Sequence, residues 1–142
     1  MLLYLDNCSF NRPFDMQTRI SISLESQAKL FVQQGIQSGR FGLVWSYVLE
    51  HENNRNPFEL RRESIRRWKE LAVRFVAESD EVLALSETLL ARGVKLYDSL
   101  HVACACVGRC ERFLTVDKGL LNKPINEIRL QNPIDFVSEL GV

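Results

Sequence analysis

A short apolar run that ends in a carboxylate, residues 2–6 (LLYLD), constrains the fold of this chain more than any other stretch. A continuous apolar run of this length, followed at once by the polar Asn7, is typical of a buried strand in a parallel sheet. In open α/β sheets, ligands bind outside the carboxyl ends of the strands. Asp6 therefore lies where a functional site is expected, provided that other polar side chains converge on it.

Short apolar strands alternate with helical patterns along the rest of the chain, which predicts an α/β fold with a central parallel sheet. Further strands are predicted at residues 41–45 and 112–116, with an edge strand at 128–130. The segment 73–76 fits either a helix end or a strand. Residues 7–15 (NCSFNRPFD) predict a turn-rich connection. Helices are predicted at residues 18–38, 47–54, 58–72, 79–92, 96–107 and 133–140.

The length and composition fit one globular domain covering residues 1–142. Of the 142 residues, 46% are hydrophobic and 25% are charged, which are ordinary values for a globular chain. No apolar run reaches the ~20 residues needed to span a bilayer. No basic segment precedes the first apolar run, as it would in a secretory signal. We therefore expect a cytoplasmic protein with no membrane partner.

The net charge and the cysteines exclude two simple explanations of function. The formal net charge is zero, so nucleic-acid binding would depend on a local basic patch or on metal ions. The cysteines lack the C-x-x-C spacing of zinc sites and are expected to be small buried hydrophobes in a reducing compartment. They are Cys8, Cys104, Cys106 and Cys110.

Four carboxylates are placed to meet at one edge of the predicted sheet. Asp6 and Asp117 directly follow predicted strands, and right-handed crossovers bring the ends of parallel strands to one edge. Asp98 and Glu52 lie near the starts of helices, which begin at that same edge in such folds. Each acid alone also has a structural explanation, as a turn former, a helix cap or a surface residue. Their combined placement favours a shared site.

The helix at residues 47–54 offers two acids for this site. Val48 and Leu49 are predicted to face the core, and Glu52 lies one turn beyond Val48 on nearly the same face. Glu50 points toward another face of the helix. The pattern therefore indicates Glu52 and leaves Glu50 as the alternative.

Clustered carboxylates with no matching basic residue predict a cation site. Without a cation their mutual repulsion should raise their pKa values. Hard divalent ions with oxygen ligands, Mg²⁺ or Mn²⁺, fit such a donor set best. Two such ions, roughly 3.5–4 Å apart, can activate water and stabilise the leaving oxygen of a phosphodiester. His101, one turn after Asp98, is expected to be a hydrogen-bonded core histidine rather than a ligand.

Four segments in this order resemble the PIN-domain family over the whole chain. They are LYLDN, then SYVLEHE after a strand, then LYDSLHVACA and FLTVD. The most specific piece is DSLHVACA followed by FLTVD, an acid-led apolar helix and then a strand that ends in Thr and Asp. The opening LDNCSFNRPFD also resembles a bacterial subgroup of that family.

The resemblance implies a three-layer α/β/α fold with about four to five short parallel strands, and a Mg²⁺- or Mn²⁺-dependent ribonuclease. Many PIN domains are toxins of toxin–antitoxin pairs, so the implied partners are an RNA substrate, an antitoxin protein and a second copy of the chain in a homodimer. The family's catalytic and metal-binding acids match Asp6, Asp98 and Asp117. Its second acid matches Glu52 by the spacing from the serine after the strand, with Glu50 as fallback. Supporting polar residues match Asn7 and Thr115.

Two other classes of function remain open on the sequence. An α/β phosphoacceptor or phosphatase domain needs a nucleophilic Asp, usually with a partner acid in the first loop, but this loop reads DNC without a D-x-D. Such a domain also places a Lys late in the chain, whereas Lys118 here directly follows Asp117. A non-catalytic PIN-like interaction module would have lost the site, and the presence of all four acids argues against it.

Overall fold

The computed structural model describes residues 1–15 and 19–141 of the chain. Within these residues, five strands form one parallel sheet in the order β3-β2-β1-β4-β5. The strands are β1 (Leu2–Leu5), β2 (Gly42–Ser46), β3 (Arg74–Val76), β4 (Arg112–Leu114) and β5 (Arg129–Gln131). The helices are α1 (Asn7–Asn11), α2 (Ile20–Gln37), α3 (Tyr47–Asn54), α4 (Glu59–Lys69), α5 (Asp80–Ala91), α6 (Leu96–Val107), α7 (Lys118–Leu121) and α8 (Pro133–Glu139), with a 3₁₀ helix at Arg12–Phe14.

The strand order explains how helices cover both faces of the sheet. The chain moves outward in one direction from β1 to β2 to β3, then crosses back to β4 on the other side of β1. Right-handed crossovers that run in opposite directions place their helices on opposite faces. α2 therefore lies on one face, where it packs against α8, and α5 and α6 pack against each other on the other. The predicted three-layer α/β fold is confirmed.

The central strands are apolar because both of their faces are buried. Leu3, Tyr4 and Leu5 of β1 are fully inaccessible to solvent, and so are Phe113 and Leu114 of β4. β1 pairs with β2 on one side and with β4 on the other, with Tyr4 opposite Phe113. β1 is therefore a central strand, and its last residue, Leu5, pairs with Leu114 of β4 just before Asp6.

Several predicted elements agree closely with the structure. The predicted helix 96–107 and α6 have the same bounds. Ser79 caps α5 by accepting a hydrogen bond from the Val82 amide, and Gly93 follows it with a φ of 89°, a left-handed conformation that glycine adopts without strain. Ser46 caps α3 in the same way through the Leu49 amide. Residues 128–130 were predicted as an edge strand, and β5 is that edge, shifted by one residue.

Other elements differ from the prediction for physical reasons. The connection 7–15 contains α1 and the 3₁₀ helix. α1 forms there because the Asp6 side chain caps it and because its residues Ser9 and Phe10 are buried. Residues 74–76 are strand β3, since the outer side of β2 supplies a pairing partner. α4 ends at Lys69 rather than at residue 72, and Leu71, inside the predicted helix, is 43% exposed. Thr18, the predicted start of the long helix, lies outside the described residues.

The structure also tests the expectations about cysteines and membrane spans. Cys104 is buried, whereas Cys8, Cys106 and Cys110 are partly buried, and all four are free thiols. Among the residues that the structure describes, no helix has both the length and the apolar character needed to cross a bilayer.

Candidate active site

The carboxyl ends of β1 and β4 open into a small cleft of about 90 Å³. All four predicted acids contribute to its lining, and they come from four separate parts of the chain. The lining residues are Asp6, Asn7, Cys8, Glu52, Asp98, His101 and Asp117. The structure thus brings the predicted acids to the same edge of the sheet.

Asp6 is the most constrained of the four acids. It follows β1 directly, is 5% exposed, and its amide donates to the Leu114 carbonyl at the end of β4. Its Oδ1 accepts hydrogen bonds from the Ser9 amide and the Cys8 thiol, each at 3.1 Å. Its Oδ2 accepts a hydrogen bond from the Thr115 hydroxyl at 2.6 Å. These bonds fix the orientation of the carboxylate within the cleft.

Asp117 is held by the helix that it caps. Its Oδ1 accepts hydrogen bonds from the Gly119 and Leu120 amides, at 2.8 and 3.2 Å. Its own amide donates to the Thr115 hydroxyl oxygen at 3.1 Å. Thr115, buried at the end of β4, therefore bridges Asp6 and Asp117 and holds the two acids in register.

Asp98 lies in the first turn of α6 and is half-buried in the cleft wall. Burial raises the pKa of this carboxyl, and the neighbouring charges of Asp117, Asp6 and Glu52 raise it further, whereas His101 lowers it. The expectation of a raised pKa is confirmed for Asp98. The same causes show that the acids are close enough to repel one another.

The two candidate acids of α3 have different surroundings. Glu52 is partly buried in the cleft, where its Oε1 forms a hydrogen bond with Nε2 of His101. Glu50 instead binds Lys69 of α4, whose Nζ donates to both carboxylate oxygens at 2.9 and 2.7 Å. Val48 and Leu49 are buried, as predicted. Of the two acids, Glu52 therefore lines the cleft and Glu50 does not.

A buried hydrogen-bond chain lies behind Glu52. Nδ1 of His101 lies 2.6 Å from the Tyr4 hydroxyl, which lies 2.6 Å from Oγ of Ser46. Tyr4 and Ser46 are fully buried, and His101 is 2% exposed. Burial raises the pKa of the Tyr4 hydroxyl well above its usual value, so this group stays protonated. His101 is thus a hydrogen-bonded core histidine, as expected from the sequence, but one that also reaches the cleft.

Two residues that line the cleft, Cys8 and His101, were not part of the site predicted from the sequence. Cys8 stands two residues after Asp6, in the first turn of a helix that the turn-rich composition concealed. His101 stands three residues after Asp98, a spacing that places both side chains on one face of α6. That spacing was the available signal for His101, whereas no pattern in the sequence marked α1.

The chemistry of the donor set suits a hard divalent cation, because carboxylate oxygens are the ligands that Mg²⁺ and Mn²⁺ prefer. Across the described ranges, no three His, Cys, Asp or Glu side chains are gathered closely enough to hold a metal ion. Cation binding would therefore require the acids to come closer together than they lie here.

Comparisons with known proteins show the fold of the chain. No protein-family model matches it, and no curated protein matches it. It is similar in structure to a chain of VapBC2 from Rickettsia felis, solved bound to a DNA fragment from their promoter. The TM-score is 0.59 at 12% sequence identity, over 93% of this chain and 98% of that one. At this identity the likeness shows the fold alone, and that fold is the PIN-like α/β fold expected from the sequence.

Proposed function

We propose that this chain is a divalent-metal-dependent endoribonuclease that hydrolyses phosphodiester bonds of single-stranded RNA. The convergence of four carboxylates in one cleft, where burial and the three neighbouring acids raise the pKa of Asp98, carries this proposal. Carboxylates that repel one another at the carboxyl edge of a parallel sheet are stabilised when they share a cation, because its positive charge offsets their repulsion. Among the described residues, the lining of the cleft includes no Lys or Arg that would neutralise them.

Asp6, Asp98 and Asp117 would hold the cation, with Glu52 completing the set. When bound, Mg²⁺ or Mn²⁺ would lower the pKa of a water molecule and stabilise negative charge on the phosphate. Thr115 would keep Asp6 and Asp117 aligned through its two hydrogen bonds. Asn7, which also lines the cleft, would supply a polar contact to the substrate.

Glu52 has the geometry to orient the attacking water. One of its oxygens is bound to His101, and the carboxylate faces the cleft. We propose that water, rather than the RNA 2′-hydroxyl, attacks phosphorus and that the bond to the 3′-oxygen breaks. The products then carry 5′-phosphate and 3′-hydroxyl ends. We propose a single-stranded or looped substrate, because proteins that recognise RNA sequence mostly bind unstacked bases in loops, bulges and ends.

The biological role that we propose is that of a toxin in a toxin–antitoxin pair. The resemblance of LYDSLHVACA and FLTVD to PIN domains supports this role, and so does the fold shared with VapBC2, which was solved bound to promoter DNA. In this role the chain would have an antitoxin protein as its partner and would form a homodimer.

Cleavage of mixed single-stranded RNA, followed by analysis of the product ends, tests the proposed function. We expect cleavage in Mg²⁺ or Mn²⁺ and none in excess EDTA, with 5′-phosphate ends on the products. Cleavage that persists in EDTA, or products with 2′,3′-cyclic phosphates, would show that the reaction follows another mechanism. A stable acyl-phosphate on Asp6 would favour the phosphoacceptor class instead.

A further inference from the structure

Four side chains form one continuous hydrogen-bond chain from the centre of the sheet to the cleft. Ser46 ends β2, Tyr4 lies in β1, His101 in α6 and Glu52 in α3. The two distances that involve the Tyr4 hydroxyl are both 2.6 Å, and Nε2 of His101 contacts Oε1 of Glu52. His101 and Glu52 line the cleft, and Glu52 is the most exposed of the four.

The chemistry of its two ends gives this chain a single direction. An ionised Glu52 carboxylate only accepts hydrogen bonds, so Nε2 of His101 carries the proton and donates. When the imidazole is neutral, its Nδ1 is an acceptor, and the Tyr4 hydroxyl donates to it. The Tyr4 oxygen is left to accept from the Ser46 hydroxyl.

The start of the chain agrees with this direction. Oγ of Ser46 accepts a hydrogen bond from the Leu49 amide at 3.1 Å, which leaves the serine hydroxyl proton for Tyr4. Each buried hydroxyl and ring nitrogen then has a partner in one consistent arrangement. Buried polar networks in which all members are satisfied are rigid and fix a unique geometry.

Packing around Tyr4 prevents the chain from rearranging. The Tyr4 ring stacks on Phe113 with centroids 5.2 Å apart, and it meets the His101 ring edge-on at 5.7 Å. Both rings are therefore held in place by the core. Since His101 is fixed, the oxygen of Glu52 that it binds is fixed relative to the sheet.

We propose that Tyr4 and His101 are positioning residues: the Tyr4 hydroxyl holds the His101 ring, and Nε2–H of His101 holds the Glu52 carboxylate in the cleft, where it would face the cation and its water. This inference rests on the proposed function of the cleft. It adds that residues in the core of the sheet set the orientation of the Glu52 carboxylate. Removing a residue that hydrogen-bonds to a metal ligand typically lowers metal affinity or activity by about 10- to 100-fold.

The substitution Tyr4→Phe tests the chain, because it removes one hydroxyl and keeps the ring. The control is Ser86→Ala, which removes a hydroxyl hydrogen bond of 2.8 Å to Ser99 of the same helix α6, away from Glu52. Mn²⁺ affinity is measured for both variants by isothermal titration calorimetry. We expect Tyr4→Phe to weaken Mn²⁺ binding by about 10- to 100-fold and Ser86→Ala to leave it unchanged. Equal affinities in the two variants would overturn the proposal.

Nitrogen-15 NMR of the metal-free wild-type protein gives a second, independent test, because it shows which ring nitrogens of His101 carry a proton. The chain has two histidines, and a His51→Gln variant identifies the His101 signals. We expect Nε2 of His101 to carry a proton; an Nε2 without a proton would overturn the proposal even if Tyr4→Phe fails to fold. Wild-type protein that binds no Mn²⁺ would overturn the metal site of the proposed function, and the protonation of Nε2 would then decide whether the hydrogen-bond chain exists.

Discussion

Burial and three neighbouring carboxylates raise the pKa of Asp98 above its ordinary value of 3.8. The folded protein therefore binds the Asp98 proton more tightly than the unfolded chain does. The stabilisation from this proton is complete below pH 3.8 and is lost as the pH rises through the folded-state pKa. At neutral pH, in the absence of a cation, Asp98 is thus a source of instability that the proposed function would explain.

The substitution Asp98→Asn should stabilise the metal-free protein at pH 7. The amide keeps the shape of the carboxyl group and, like the protonated acid, carries no charge to repel Asp6 and Asp117. Urea unfolding in EDTA measures the free energy of unfolding of both proteins over a pH series. We expect the advantage of the variant to grow as the pH rises above 3.8. A variant less stable than wild type at pH 7 in EDTA would contradict the proposed repulsion.

The acids of α3 provide a matched pair of substitutions. Glu52→Gln should lower RNA cleavage by about 10-fold or more, because it removes a charged oxygen from the cleft. Glu50→Gln removes the same charge two residues earlier, where the acid binds Lys69, and should leave cleavage unchanged. Initial rates at saturating Mn²⁺ compare the two. A larger loss in Glu50→Gln would reverse the assignment.

Some residues of the site could be predicted from the sequence, and others could not. Asp6, Asp98 and Asp117 follow from their positions after strands and in a first helical turn. The spacing of α3 favours Glu52 over Glu50, but the Lys69 contact that removes Glu50 joins two helices whose packing angle no local pattern encodes. The hydrogen bonds of Tyr4 to Ser46 and His101 span 42 and 97 residues of sequence, so they depend on the order of the strands.

At the scale of elements, α2 carries a buried cation against α1. Lys29 of α2 is fully buried, its Nζ lies 4.3 Å from the centre of the Phe10 ring, and it has no hydrogen-bond acceptor among the described residues. Burial lowers the pKa of Lys29 from 10.5 to about 7, and the charge of Asp6 offsets part of this effect. The packing of α2 on α1 therefore costs free energy while Lys29 is charged.

The substitution Lys29→Met should raise the free energy of unfolding at pH 7 by about 2 to 4 kcal/mol, since one pKa unit corresponds to about 1.4 kcal/mol. The unfolded chain keeps this proton up to pH 10.5, whereas the folded protein loses it near pH 7. The advantage of the variant should therefore shrink as the pH rises from 7 toward 10.5. Urea unfolding at both ends of this range measures it, with the exposed Lys123→Met as control. An advantage that grows with pH would show that the cost of Lys29 is not one of charge.

Helices whose ends are marked by capping residues or glycines could be predicted from the sequence. Elements that form only because of contacts with other parts of the fold could not. Ser79 and Gly93 mark the ends of α5, and the apolar pattern of α6 runs between Gly93 and Gly108. By contrast, α1 is five residues long and forms because Asp6 caps it and the core accepts Phe10. β3 is strand rather than helix end because β2 offers it a free edge.

At the scale of the whole molecule, alternation of strands and helices predicts a parallel sheet but not its order. The order places β1 in the middle, and this brings Asp6 beside Asp117 and Tyr4 beside His101. The return crossover from β3 to β4 passes two strands and carries Asp98 over the end of β1. The site is therefore a property of the topology as much as of its residues.

A cation that binds the folded state alone should stabilise the whole molecule. At a free Mn²⁺ concentration of 100 times Kd, linkage gives about 2.7 kcal/mol, which for a chain of this size raises Tm by about 5 to 10 °C. Thermal unfolding by circular dichroism in Mn²⁺ and in EDTA measures the shift, and Asp98→Asn should lose most of it. Equal Tm values for wild type in the two conditions would contradict a cation site in the cleft.

The central claim is that the four acids act together as a metal-dependent nuclease site, and RNA cleavage by two matched variants tests it most directly. Asp98 and Asp135 each lie in the first turn of a helix, α6 and α8, but only Asp98 lines the cleft. In Mg²⁺ or Mn²⁺, we expect Asp98→Asn to lower the rate of single-stranded RNA cleavage by about 100-fold or more, because a metal ligand contributes several kcal/mol to the transition state. Asp135→Asn should cleave like wild type. Equal rates for Asp98→Asn and Asp135→Asn, or cleavage by Asp98→Asn at the wild-type rate, would contradict the account.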